Sequence, residues 1–168
     1  MARRLAIAVA VAGMLVLAPV AGATAGQWSV TGSGVGAGNV AGDHLELAAR
    51  SDVGGATPSG YAEGQFSVGD AQYNDGGQVL CLNVVGNRAV IVWRLRFSVA
   101  NTSNTFPYGA AVIEDNGEPV GGQPVDRMID FVLSPPNLAF FCTPAAVTLL
   151  DVFGGVPIES GNFVVSDG

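Results

Sequence analysis

Apolar and polar positions alternate most cleanly from Ala89 to Val99. Ala89, Ile91, Trp93, Leu95, Phe97 and Val99 take one side, and Val90, Val92, Arg94, Arg96 and Ser98 the other. Period two puts successive side chains on opposite faces of a strand, so Trp93 and Phe97 point inward while Arg94 and Arg96 point to solvent. Upstream, Gln78 to Val85 is rich in Val and Leu, and Gly86-Asn87 joins it to the next run as a two-residue hairpin. The same alternation marks Leu45–Arg50, Ala62–Val68, Tyr108–Glu114 and Met128–Leu133, with further strands at Gln27–Ser33 and Asn162–Ser166. In Met128–Leu133, Ile129, Phe131 and Leu133 oppose Met128, Asp130 and Val132. Glycine-rich turns at 34–42, 54–55, 75–77, 116–117, 121–122 and 154–155 separate these runs. Short strands punctuated by glycine predict an all-β domain, an antiparallel β-barrel or β-sandwich of about 8 strands. The strand near Trp28 is expected to pair with the closing strand at Phe163. From Thr143-Pro144 to Phe153, a cap residue, an early proline and a terminal Gly154 suit a short helix, while Val147, Thr148, Leu149 and Leu150 also suit a strand.

The first 25 residues carry a different pattern. Arg3 and Arg4 precede an unbroken apolar run from Leu5 to Leu17, and Ala23-Thr24-Ala25 follows. A basic start, a short apolar stretch and small residues two apart make a secretory signal peptide, with cleavage after Ala25. Gly13, Pro19 and Gly22, and the lack of a basic cluster after Gly26, argue against a retained membrane span. The expected organisation is a signal peptide at 1–25 and a single secreted β-domain at 26–168, which at about 143 residues is long enough for one core.

Removal of the leader leaves five arginines, no lysine and fourteen acidic residues, a net charge of about −9. That balance repels phosphate backbones and anionic lipid heads, so neither a nucleic acid nor, after cleavage, a membrane is an expected partner. Lysine Schiff-base chemistry is excluded outright. Two cysteines remain, Cys81 and Cys142, and in an exported chain such a pair closes as a disulfide. Zinc would need further ligands, and the chain offers only His44.

The polar residues give few chemical leads. His44 is the only base for an activated serine, and no Gly-x-Ser-x-Gly elbow accompanies it; it reads as a surface histidine at a strand start. Asp126 with Asp130, or Glu114 with Asp115, could supply paired carboxylates for glycoside chemistry, although adjacent acids are commoner on a solvated face. Asp115, Asn116 and Glu118 crowd oxygen donors into one turn and are candidate calcium ligands, but their spacing departs from the helical calcium loop. A type I′ turn at Asn116-Gly117 is the structural alternative. No cofactor is expected. Trp28, Tyr61, Tyr73, Trp93 and Tyr108 either fill the core or line a cavity.

Cys81, the Val112 to Glu118-Pro119 stretch, Pro124 to Asp126-Arg127, Cys142 and the closing Ser160-Gly161-Asn162-Phe163-Val164-Val165 together carry a resemblance. Over roughly its second half the chain resembles a group of small secreted actinobacterial proteins of unknown function. It differs in Val125 and in a more apolar stretch from Phe140 to Phe153. The resemblance implies no activity, cofactor or site residue. The expected role is therefore a secreted, non-enzymatic β-domain, binding or structural, with a partner at or outside the cell surface. The alternatives are a small-ligand barrel with Trp93 and Phe97 facing an internal cavity, and, third, a small hydrolase or cyclase.

Overall fold

The computed structural model describes residues 26–36, 44–68, 71–98, 107–118 and 126–168; the signal peptide expected at 1–25 lies outside them. Eight antiparallel strands form one closed barrel in chain order: β1 (Gln27–Gly36), β2 (His44–Asp52), β3 (Ser59–Val68), β4 (Ala71–Val85), β5 (Arg88–Ser98), β6 (Tyr108–Glu114), β7 (Arg127–Leu133) and β8 (Val156–Ser166). Of the two expected architectures, the barrel is the one adopted. The first and last strands pair as anticipated, with Gly32 opposite Phe163. This brings the backbone of Gly26 against that of Gly168.

The alternation is read out faithfully where one face is buried. In β2, Leu45, Leu47 and Ala49 point into the barrel while Glu46, Ala48 and Arg50 are exposed. In β5, Ala89, Ile91 and Trp93 join Val30, Ala62, Leu82, Ile113 and Phe163 in the interior, and Arg94 and Arg96 face out. Val30, Ala62, Leu82, Ile91, Ile113 and Phe163 show no accessible surface, so no water-sized void touches them. Phe163 fits because its neighbours on β1 are glycines: a Cβ at Gly34 would stand 2.9 Å from the Phe163 ring.

Three expectations need correction. Asp75-Gly76-Gly77 is not a turn but part of β4, at a bulge where Gly77 meets Leu95 and Arg96 is skipped. A Cβ on Gly77 would lie 1.6 Å from the Arg94 carbonyl oxygen, so glycine here permits close strand approach rather than chain reversal. Likewise, Gly34 and Gly36 belong to β1, and β8 begins at Val156 rather than Asn162. Gly54 and Gly55 do form a turn, with φ of 92° and 74°. So does Gly86-Asn87, where Val85 pairs with Arg88 and Gly86 takes φ 61°.

The ambiguous apolar segment is helical, and helix starts before it. Helix α1 (Pro135–Phe141) leads through Cys142 to a 3-10 turn (Pro144–Thr148) and then α2 (Leu149–Phe153). Proline opens the first two pieces, where its missing N–H costs no helical bond, and Gly154 ends the last at φ 82°. This cap lies on the outside of the barrel. Phe141, Ala146, Val147 and Leu150 bury against Val90, Val92, Ala110 and Val112, the outward faces of β5 and β6, making a second core. The Cys81–Cys142 disulfide, with Cα atoms 5.7 Å apart, fastens the cap to β4.

Closing a loop across a separation of 61 residues stabilises by at most about 4 kcal/mol in the chain-entropy estimate. Replacing Cys81 and Cys142 together by Ser is expected to lower unfolding free energy toward that amount in urea titration. The far-UV circular dichroism of the barrel should survive. Gly109→Ala should also destabilise, by about 1–3 kcal/mol, because the added Cβ would stand 2.3 Å from the Trp93 ring.

Candidate functional site

The acidic turn between β6 and β7 is built into the barrel seam. β8 pairs with β7 at only two positions, Pro157 with Arg127 and Val156 with Met128. Its later N–H groups must find other acceptors, since a buried unpaired backbone donor is costly. Carboxylates supply them: Phe163 N–H donates to Asp126 Oδ2 at 2.9 Å, and Val165 N–H to Asp115 Oδ2 at 2.8 Å. The second oxygens hold the turn itself. Asn116 N–H donates to Asp126 Oδ1 at 2.9 Å, and Gly117 N–H to Asp115 Oδ1 at 2.8 Å. Asn87 ties the β4–β5 hairpin to the same turn through the Asp115 carbonyl at 2.7 Å.

The geometry departs from the type I′ turn. That turn requires positive φ at both central residues, whereas among the described residues only glycines take positive φ, and Gly117 is at 92°. Asp115 instead makes an Asx turn, in which its own side chain accepts from the residue two positions on. The candidate calcium ligands divide accordingly. Both Asp115 oxygens accept backbone N–H bonds, Asn116 Nδ2 donates to Glu114 at 3.2 Å, and Glu118 accepts from Asn162 at 3.5 Å. Among the described residues, no three His, Cys, Asp or Glu side chains are grouped to hold a metal ion.

Glu114 anchors a charged hub beside this seam. Arg88 approaches its Oε1 at 2.6 Å, Arg127 its Oε2 at 3.4 Å, and Arg88 also reaches Asp151 of the cap at 2.8 Å. Burial pushes the Glu114 carboxyl up, but the Arg88 and Asn116 hydrogen bonds and the two guanidinium charges outweigh it, so its pKa lies below the usual range. The Arg88 hydrogen bond likewise lowers Asp151. Asp130, the other half of one suggested carboxylate pair, sits on the inward row of β7 with Met128 and Val132, whereas Asp126 bonds β8.

The remaining candidates fall elsewhere. His44 opens β2, half-buried, beside a hollow of about 270 Å³ that Glu46, Glu63 and Gln65 also line. Glu46 and Glu63 are directly opposed across β2 and β3, and with the exposed Tyr61 they flank a shallow outer groove of about 470 Å³. Trp93 points inward as expected and is 2 % exposed; its Nε1–H is buried without an acceptor among the described residues. Phe97 lies on β5, but its side chain is outside the described set. Sequence reasoning missed Gly109, over which the Trp93 indole lies; the register that opposes them is not visible in a single strand.

Because Glu114 and Asp151 are lowered in the folded state, their contribution is present above the ordinary values of 4.5 and 3.8 and is lost as pH falls through the folded ones. Urea midpoints should therefore drop as pH falls below about 4.5, and Glu114→Gln should flatten that acid limb. Asp126→Ala removes two charge-assisted acceptors from a buried site, and should lower unfolding free energy by roughly 3 kcal/mol in the same titration.

The chain matches no family model, no curated protein and no solved structure.

Proposed function

We propose that this chain is exported and works at or outside the cell surface as a non-enzymatic β-domain that acts by binding. The observation that carries the reading is the use made of the acidic groups. Asp115 and Asp126 accept backbone N–H bonds of β8, and Glu114 and Asp151 are neutralised by arginine. These residues serve the scaffold rather than acid–base chemistry. Export is supported by the leader pattern of Arg3, Arg4, the Leu5–Leu17 run and Ala23-Thr24-Ala25, and by the Cys81–Cys142 bridge, which suits an oxidising compartment. The resemblance to small secreted actinobacterial proteins agrees with this.

A second reading, a barrel that takes a small ligand, has in its favour the inward Trp93 indole, whose N–H has no acceptor among the described residues. The outer groove beside Tyr61, Glu46 and Glu63 is an alternative binding surface.

Intact-mass measurement of the protein from the culture medium or cell envelope tests the export reading. The expected species begins at Gly26 and is two hydrogens lighter than its reduced form. A chain found only inside the cell, with residues 1–25 retained and both thiols free, would overturn it.

A further inference from the structure

The binding reading gains a location and a ligand class at one side of the barrel, and the inference rests on that reading. Trp93, Gly109 and Val132 form one inward-facing row across β5, β6 and β7. Gly109 offers no side chain, so the indole lies over it: a Cβ there would stand 2.3 Å from Trp93 Cε2 and 2.6 Å from Nε1. The nitrogen edge of the ring therefore lies over β6, the strand between Trp93 and Val132. Beyond Met128, β7 has no ladder partner in β8, because β8 begins at Val156. Inward positions of β7 are accordingly reachable from outside: Asp130 is half-buried and Val132 is 41 % exposed. At the inner end of the row the Trp93 Nε1–H is buried with no acceptor among the described residues.

A buried donor without a partner is rare and costly, and it fixes what would suit the place. The group that meets it must accept a hydrogen bond. We take it to be neutral, since an anion would enter a strongly acidic chain and an ammonium or guanidinium group has no lone pair to offer. Leu95, Val132 and the indole make the surroundings largely apolar. We propose that the slot between Val132 and Trp93 receives a small neutral, mainly apolar molecule bearing a carbonyl or ether oxygen, which accepts from Trp93 Nε1–H. Nε1 is covered in the free chain, so the ligand enters as a wall moves aside. Among the described residues the wall at Val132 has ladder bonds on one side only, from β6, and it is the one that yields.

The chain has two tryptophans, Trp28 and Trp93, so a spectrum of the 15N-labelled, bridged protein carries two indole N–H signals, which Trp28→Phe assigns. Titration with cyclohexanone should move the Trp93 signal downfield and to saturation, leaving Trp28 in place. Cyclohexane, which has no acceptor, should produce no downfield movement. Val132→Trp, a substitution at an exposed position, should fill the slot and weaken cyclohexanone binding at least tenfold. The proposal fails if the Trp93 signal stays put, if cyclohexane moves it equally, or if Val132→Trp binds as well as the parent. Each of those results would leave the mass of the exported form, and thus the reading of export and bridge, untouched.

Discussion

A sheet that closes on itself must satisfy the backbone of its last strand on both sides, and in this protein the second side is completed by side chains. β8 follows β1 over most of its length but meets β7 at two positions. The carboxylates of Asp126 and Asp115 stand in for the missing ladder by accepting from Phe163 and Val165. Asp126 is 2 % exposed, so water cannot replace it there. Phe163, whose backbone that bond holds, fills the interior with its ring against Gly34, and the arginine hub at Glu114 braces the same seam. Farther along β7, beyond Met128, β8 supplies no ladder partner among the described residues.

The two cores divide the work of stabilisation differently. The inner one is spread evenly around the barrel, with small residues such as Ala49, Ala62, Ala89 and Ala111 leaving room for Trp93 and Phe163. The outer one is lopsided. It covers β5 and β6 beneath the cap, whose Arg88–Asp151 contact and disulfide add directional ties to apolar packing. An exposed ion pair of this kind contributes little by itself; here its role is to fix the cap's position.

Strand positions were legible wherever burial was one-sided. β2 shows this best, since Leu45, Leu47 and Ala49 alternate with Glu46, Ala48 and Arg50 and the structure buries the first set alone. The inward aim of Trp93 followed from the same rule. The cap was half legible: prolines and Gly154 marked its pieces, yet α1 was not expected. The overlooked signal was in β5, where Val90 and Val92 are apolar on the face assigned to solvent, as a strand covered on both sides should be. Glycine misled at 75–77 because the residue that permits a turn also permits a bulge, and only the register distinguishes them. The acidic turn read as a ligand cluster or a tight hairpin; its role as a backbone acceptor depends on β8, which lies some forty residues on in sequence and so leaves no local trace.

The contact between Gly26 and Gly168 gives the barrel a handle. Polypeptide attached before the first strand and polypeptide attached after the last would leave from the same pole, beside the turn at Gly54-Gly55 and the hairpin at Gly86-Asn87. The row that ends at Val132 lies toward the other pole. A tether, a fused domain or a surface linkage at either end would therefore hold the molecule like a cup by its base, with the far end of β7 facing away from whatever holds it.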